Sequence, residues 1–541
     1  MSDIPSEWLW IVIVSFVISF FLAFGIGAND VANSFGTSVG AKVLTLFKAC
    51  ILATIFEILG SVLIGYRVSD TIRKGIIDVN PYNNSETLLL MGNLSALTGS
   101  CIWLFLATLL SLPVSATHSI VGATIGFSLV AKGAEGVNWS KLGLIIASWF
   151  ISPVMAGSIS AALFWTIRKL VLSKAKPLEP GLKLLPLFYG VTILINAISV
   201  FLDGSELLQF NKIPLYGTFI LSFGLALLTA LGIRVLVVPW MRKKIEERET
   251  VEHPEENGKP CVNFNQEIEV AAKPKVTVTD TSFNVEADCG DRQQMLLGNG
   301  NGLIVAEEAV VHTYGSTIKN ETVEVADSTT ALMAASDLSQ ANEETVTITT
   351  KFKGRKYSKD KRCHSREAIT DHPQTTSLFS FLQVLTAIFG AFAHGGNDVS
   401  NAIGPLVAVW VISNEHNVAQ KAPTPIWILI YGGIGISLGL CILGRRVIKT
   451  MGEDLSKITP SSGFCIELGA AFTVLVASYV GIPISTTHCK VGSIVFVGRV
   501  RSNDNVDWSL FRNIILAWVV TLPASGLLSA LMMFLLKEFA L

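Results

Sequence analysis

The sequence has little charge. Asp, Glu, Lys and Arg together make up 15% of its 541 residues, whereas 50% of the residues are hydrophobic and the mean hydropathy is +0.53. This composition excludes an ordinary soluble domain and predicts a polytopic membrane protein. The formal net charge is −1, so the total charge does not indicate an acidic or a basic partner.

Several kinds of chemical motif are missing. The eight cysteines are scattered between apolar and polar segments, so they predict no disulfide framework, and no C-x-x-C spacing is present. Without a cluster of Cys and His, the sequence offers no ligand set for a transition metal. No nucleophile, base and orienting group stand out together, so we expect neither an enzyme nor a bound cofactor.

Long hydrophobic runs dominate the chain. Twelve can be picked out, at about 8–27, 46–66, 88–111, 116–131, 143–167, 185–202, 214–240, 378–394, 426–444, 463–481, 488–498 and 511–536. A helix needs about 20 residues to span a bilayer, so the short runs at 116–131 and 488–498 indicate re-entrant segments or half-helices. Acidic residues precede the first run, which we therefore expect to be a membrane helix rather than a cleaved signal. The predicted fold class is an all-α polytopic membrane protein with about 12 transmembrane segments.

A polar block at about 241–377 separates the two apolar parts. It has few aromatic residues and no apolar periodicity, so we expect it to be largely disordered. The predicted domains are an N-terminal membrane half (1–240), this central loop (241–377) and a C-terminal membrane half (378–541). Basic residues at both edges of the loop place it in the cytoplasm. Counting spans outward, both termini and the sequon at Asn83, a glycosylation candidate, are extracellular.

One stretch occurs twice. Residues 27–36 read GANDVANSFG and residues 395–404 read GGNDVSNAIG, each at the end of an apolar run. Seven runs precede the central loop and five follow it, so the two copies enter the membrane in opposite directions. Two inverted-topology repeats with broken helices or re-entrant segments at the substrate site are typical of secondary transporters. The glycines in both copies indicate a break in the helix that frees backbone groups.

A second stretch is also duplicated. Residues 112–118 read LPVSATH and residues 482–488 read IPISTTH, and the Asp-to-Pro separation between the two motifs is 83 residues in one half and 85 in the other. Proline followed by Ser-x-Thr predicts a helix start whose hydroxyls cap the first turn and whose free N–H groups favour an anion. Neither stretch contains Lys or Arg, since Lys42 and Lys490 lie outside both. An anion held there therefore needs bound cations.

Candidate cation ligands lie in the first pair of motifs. Carboxylate and carboxamide oxygens, which suit a hard cation, come from Asn29, Asp30, Asn33, Asn397, Asp398 and Asn401. Na⁺ is the simplest choice, because it would couple anion uptake to the membrane gradient.

Other polar side chains lie within apolar runs or beside the motifs. Glu57 and Glu467 are functional candidates because intramembrane carboxylates are costly, although pairing near a helix end would also explain them. His118, His394 and His488 could relay protons, orient a ligand or make structural hydrogen bonds.

The four motifs resemble those of the inorganic phosphate transporter family, and most closely its animal sodium-dependent type. The resemblance covers both membrane halves and not the central loop. It implies a Na⁺-coupled symporter that imports inorganic phosphate across the plasma membrane by alternating access, in an assembly that we expect to be a homodimer. A proton-coupled phosphate or sulfate permease on the same scaffold, or an ion channel, stays open on the residues alone.

The resemblance also implies roles for individual residues. The phosphate ligands would be Asp30, Ser115, Thr117, Asp398, Ser485, Thr486 and Thr487. The Na⁺ ligands would be Asn29, Asp30, Asn33, Asn397, Asp398 and Asn401. Glu57, Glu467 and His394 would be linked to translocation. Ala116 stands where the second copy has Thr486, so the first tip offers one hydroxyl fewer.

Overall fold

The computed structural model describes residues 4–203, 210–252, 369–449, 452, 454–502 and 505–540, together with four short strands between 297 and 349. Contacts divide the chain into two units. One contains Met1–Glu255 and Arg362–Leu541, and the other contains Glu256–Lys361. The first unit includes every apolar run, so it is the membrane unit.

Helices build the membrane unit. Its N-terminal part contains α1 (Ser6–Ile26), α2 (Ala32–Gly40), α3 (Leu46–Ile64), α4 (Tyr66–Lys74), α5 (Glu86–Leu109), α6 (Ala116–Lys132), α7 (Trp139–Ile167), α8 (Leu178–Asp203), α9 (Leu215–Gly232) and α10 (Val238–Glu252). Its C-terminal part contains α11 (Pro373–Glu415), α12 (Ile426–Leu443), α13 (Arg445–Lys449), α14 (Pro460–Val480), α15 (Thr486–Arg501) and α16 (Trp508–Phe539). One-turn π-helices extend α1, α7 and α9 at Gly27–Val31, Arg168–Leu172 and Ile233–Val237. Short 3-10 turns lie at Asn80–Tyr82, Gly133–Gly136 and Phe210–Lys212.

Ten helices of the described chain are long and apolar enough to cross a membrane. The two apolar runs missing from this set are the short ones, which form α6 with 17 residues and α15 with 16. At 1.5 Å per residue these helices are about 25 Å long, less than the roughly 30 Å hydrocarbon core. The prediction of re-entrant segments or half-helices at these two places is confirmed, whereas the count of about twelve transmembrane segments is not.

Each short helix is the second arm of a hairpin. In the first hairpin, α5 and α6, the base is closed by a bridge between Ile77 and Val137; in the second, α14 and α15, it is closed by one between Ser456 and Val506. The helix that follows each hairpin packs against the hairpin of the other repeat. Helix α7, which follows the first hairpin, lies along α14 and α15, and α16, which follows the second, lies along α5 and α6. This reciprocal exchange is the arrangement that two repeats related by a pseudo-two-fold axis produce.

The glycines of the duplicated Asn-Asp motifs allow helices to cross closely. The expected helix break is wrong for the second motif, because residues 395–404 lie inside the continuous helix α11. The first motif forms only the π-helical turn Gly27–Val31 between α1 and α2. A Cβ on Gly27 would collide with the carbonyl oxygen of Ile436, and one on Gly395 with that of Glu57. These glycines are therefore required by backbone contact with α12 and α3 rather than by a break in their own helices.

The membrane unit is apolar outside and polar inside. Large apolar side chains are exposed along α7, α9 and α16, as lipid-facing helices require, and Phe150, Leu228 and Val519 are examples. Buried carboxylates and carboxamides lie between α1, α3, α11 and α14, where they include Asp30, Glu57, Asp398 and Glu467. Polar groups kept at this depth mark a candidate site.

The second unit has two antiparallel strand pairs. Strand β1 (Leu297–Asn299) pairs with β2 (Gly302–Ile304), and β3 (Val310–Thr313) pairs with β4 (Val346–Thr349). The other residues of this unit, for which we predict disorder, lie outside the described part of the chain.

Candidate functional site

The two hairpins have matching tips. Each short helix begins directly after a proline and a serine, and the serine hydroxyl accepts a hydrogen bond from the histidine amide three residues later, at 3.2 Å in both copies. Ser115 caps α6 in this way and Ser485 caps α15. The helix starts predicted from the repeated Pro-x-Ser motif are confirmed.

The tips meet each other. The hydroxyl of Thr117 donates to the carbonyl of Ile484 at 3.0 Å, and that of Thr487 donates to the carbonyl of Val114 at 3.2 Å. Thr117 and Thr487 occupy equivalent positions in the two motifs, and so do Val114 and Ile484. The two hydrogen bonds are therefore equivalent under the pseudo-two-fold symmetry. Both hairpins therefore end inside the protein, with their helix N-termini side by side.

Asp30 joins the two tips from the first repeat. Its Oδ2 accepts from the backbone N–H of Ala116 at 3.0 Å, and its Oδ1 accepts from the hydroxyl of Thr487 at 2.5 Å. The neighbouring Asn29 holds the first tip alone, because its amide donates to the carbonyl of Leu112 at 2.9 Å and its oxygen accepts from the amide of Val114 at 3.1 Å. Both side chains are buried.

Asp398 occupies the matching place in the second repeat. Its Oδ2 accepts from the hydroxyl of Thr486 at 2.6 Å, and its Oδ1 accepts from Asn401 at 2.7 Å and from Asn397 at 3.3 Å. The amide oxygens of Asn397 and Asn401 are buried and have no hydrogen-bond donor within the described structure. Buried acceptors without donors are costly, and a hard cation would satisfy them together with the carboxylate.

A histidine connects Asp398 to a second carboxylate. His394 Nδ1 lies 2.8 Å from Glu57 Oε2, and His394 Nε2 lies 3.0 Å from Asp398 Oδ2. All three side chains are buried. The Nδ1 contact is a hydrogen bond, whereas Nε2 lies close to Asp398 without hydrogen-bond geometry. The imidazole thus joins Glu57 on α3 to α11 beside Asp398, which gives Glu57 a partner that its sequence position alone does not reveal.

Glu467 lies in a cage of hydroxyl groups. Its Oε1 accepts from Thr37 and Ser38, each at 2.6 Å, and its Oε2 accepts from Thr386 at 2.6 Å. Gln383 completes the cage at 3.5 Å. Sequence reasoning missed these four partners, although their polarity close to the first motif or within an apolar run was a usable signal.

A small cavity connects these groups. Its volume is about 20 Å³, which is enough for one water-sized particle, and its polar lining consists of Asp30, His394, Glu467, Thr486 and Lys490. The structure therefore brings two of the three residues predicted to be linked to translocation, His394 and Glu467, to the same space as the Asp-Thr network.

The two motif histidines lie beside the tips rather than in the cavity. The rings of His118 and His488 are 4.4 Å apart. His118 stacks against Trp149 at 3.8 Å and His488 against Trp518 at 3.7 Å. Trp149 belongs to α7 and Trp518 to α16, the two helices that pack on the hairpin of the opposite repeat. The cluster of two histidines and two tryptophans therefore has the same pseudo-two-fold arrangement as the hairpins.

Comparison with known proteins identifies the family. The model of the phosphate transporter family matches residues 26–529. The chain belongs to this family. It is 44% identical to the sodium-dependent phosphate transporter 1-A of Danio rerio, over 98% of this chain and 95% of that protein. It is 43% identical to the sodium-dependent phosphate transporter 2 of Xenopus laevis, over 98% of both. A solved structure titled "The sodium-dependent phosphate transporter" matches with a TM-score of 0.69 and 30% identity, over 98% of this chain and all of the other.

As a member of the phosphate transporter family, the chain is a multi-pass membrane protein. Most side chains predicted for the site meet at the hairpin tips, where hydrogen bonds or the cavity connect Asn29, Asp30, Ser115, Thr117, Asn397, Asp398, Asn401, Ser485, Thr486 and Thr487. The Asn33 side chain lies outside the described part. Asn83 is exposed before α5, in a loop away from the tips.

Proposed function

We propose that the chain is a symporter that imports inorganic phosphate with Na⁺ across the plasma membrane by alternating access. The observation that supports this best is the convergence of two helix N-termini between Asp30 and Asp398. Helix N-termini favour an oxyanion, while paired carboxylates repel one unless cations are bound between them. The names of the related sodium-dependent phosphate transporters support the same pair of substrates.

Phosphate would bind between the tips. Its oxygens would accept hydrogen bonds from Ser115, Thr117, Ser485, Thr486 and Thr487, and the carboxylates of Asp30 and Asp398 would hold its protonated oxygen or its bound cations. Hydroxyl groups suit this anion because they donate to one oxygen and accept from another that is protonated. Na⁺ would take its oxygen ligands from Asn29, Asp30, Asn33, Asn397, Asp398 and Asn401.

Coupling follows from competition for the threonine hydroxyls. Thr487 donates to Asp30 and Thr486 donates to Asp398, so the donors that phosphate needs are engaged by carboxylates. Each threonine hydroxyl has a single hydrogen to donate. Na⁺ at the carboxylates would satisfy their charge and release the hydroxyls, so that cation binding precedes and enables anion binding.

Several further assignments belong to this proposal. Glu57, His394 and Glu467 would take part in translocation as one repeat moves against the other. The central loop would be cytoplasmic, both termini extracellular, and Asn83 glycosylated. Na⁺ is a transported substrate, so neither a resident cofactor nor a chemical conversion is required. A homodimer in the lipid bilayer is the proposed assembly.

Uptake of radiolabelled phosphate tests the proposal. Cells or oocytes that express the chain should take up phosphate in Na⁺ and not in choline at fixed pH. Asp30→Asn and Asp398→Asn should each abolish this uptake, with cell-surface biotinylation as the control for delivery to the membrane. Uptake that is independent of Na⁺ and rises as the pH falls would instead support a proton-coupled permease.

A further inference from the structure

The two hairpin tips differ in charge at one position inside the protein. Lys490 lies on α15 five residues after Ser485, and the equivalent position on α6, five residues after Ser115, is Ile120. Both side chains are buried, Lys490 to an exposed fraction of 5%. The pseudo-two-fold axis therefore relates an aliphatic side chain to a primary amine, so the positive charge stands on one side of the site only.

The amine of Lys490 has no hydrogen-bond partner in the described structure. A lysine ammonium has three donors, and a buried polar group without partners is costly. Glu467 is the neighbouring opposite charge and lines the same cavity. Its oxygens, however, already accept from Thr37, Ser38 and Thr386. A structural ion pair would use the lysine donors, whereas no hydrogen bond joins Lys490 to Glu467 in the described structure.

The cavity places Lys490 next to the substrate site. Asp30, Thr486, Glu467 and Lys490 all line this one cavity. An anion that leaves the hairpin tips through this cavity therefore passes the Glu467 carboxylate. Like charges repel strongly where water is excluded, so that passage requires a positive group nearby.

A larger space lies beyond Glu467. It is an open cavity of about 500 Å³ whose walls include Lys42, Gln374, Ser377 and Lys457. We call it the vestibule. The elements that hold the Glu467 cage continue into its walls: Ser38 on α2 is followed by Gly40, and Thr386 on α11 lies beyond Ser377 in the same helix. The vestibule and the Glu467 cage therefore share α2 and α11, and the small cavity connects that cage to Lys490 and the tips.

We propose that Lys490 binds the transported anion between the hairpin tips and the vestibule. Its ammonium donates to phosphate oxygens and offsets the repulsion from Glu467 as the anion passes. The asymmetry between Lys490 and Ile120 restricts this step to the vestibule side. This inference rests on the proposed function, because it names an additional contact for the same anion.

Kinetic variants test the proposal. In Lys490→Met the phosphate KM should rise about tenfold or more, as expected for the loss of a charge-assisted hydrogen bond, while the Na⁺ concentration for half-maximal uptake stays within about twofold. Lys490→Arg, which retains the charge, should remain within about threefold of the wild-type phosphate KM. Lys132→Met is the matched control, since it removes a lysine from the far end of the first hairpin, outside the cavity.

The outcomes separate this inference from the proposed function. A wild-type chain without Na⁺-dependent phosphate uptake would reject the proposed function. Normal wild-type uptake together with an unchanged phosphate KM in Lys490→Met would reject only the role of Lys490. If Lys490→Met and Lys490→Gln both fail to reach the cell surface while Lys490→Arg has wild-type kinetics, the lysine is a folding residue and the proposal is overturned.

Discussion

The two threonines that cross between the repeats should differ in importance despite their equivalent positions. Thr487 donates to the carboxylate of Asp30 at 2.5 Å, with the carbonyl of Val114 at 3.2 Å. Thr117 donates to the carbonyl of Ile484 at 3.0 Å, with the carboxylate of Asp398 at 3.5 Å. The better-placed acceptor is thus charged for Thr487 and neutral for Thr117.

That difference sets the expected magnitudes. A hydrogen bond to a charged group is worth about 1.5–3 kcal/mol, and one between neutral groups about 0.5–1.5 kcal/mol. With Na⁺ at Asp30, Thr487 would transfer its hydrogen bond from the carboxylate to phosphate, so its acceptor stays charged. Since about 1.4 kcal/mol corresponds to a factor of ten, Thr487→Val should lower the kcat/KM of phosphate uptake about 10- to 150-fold. Thr117→Val should lower it only about 2- to 10-fold. Valine has nearly the shape of threonine, so the loss reports on the hydroxyl.

The assay is the initial rate of Na⁺-dependent phosphate uptake, normalised to the amount of transporter at the cell surface. Thr487→Ser and Thr117→Ser retain the hydroxyl and should remain close to the wild type. If Thr117→Val proves as damaging as Thr487→Val, or more so, the reasoning from acceptor charge is refuted.

Three further results are expected. Gly395→Ala should reduce the yield of folded protein, measured by size-exclusion chromatography in detergent, because its Cβ would collide with the carbonyl oxygen of Glu57; a wild-type yield would contradict that helix contact. His394→Gln should lower normalised uptake about tenfold or more, since the imidazole is hydrogen-bonded to buried Glu57 and lies against buried Asp398, and unchanged uptake would exclude this contact from transport. Asn83→Gln should increase the electrophoretic mobility of the protein as deglycosylation of the wild type does, and no difference would leave Asn83 unglycosylated.

The local chemistry of the tips was predictable because it depends on short-range rules. A proline, a serine cap and a threonine in the next turn determine where α6 begins, and the same order at Ser485 determines α15. The duplication then implied that the tips are equivalent. Length alone showed that the two helices are too short to span the membrane.

The contacts between distant segments were not predictable. The cage around Glu467 joins residues from α2, α11 and α14, and no local pattern relates Thr37 to Thr386. The glycines of the second Asn-Asp motif do not break their helix, although the sequence predicts a break, because close packing between helices and a break in one helix favour the same residue. Only the position of the Glu57 carbonyl beside Gly395 shows that close packing, and not a helix break, requires the glycine.

The exchange of α7 and α16 between the hairpins has a consequence for biosynthesis. The first hairpin is translated early, yet the helix that covers it, α16, emerges several hundred residues later. Until then α6 lacks the packing surface that α16 provides. That surface includes Gly526, against which Gly126 of α6 packs. The membrane insertion machinery must therefore hold an incomplete first half, and neither half expressed alone has a complete set of packing partners.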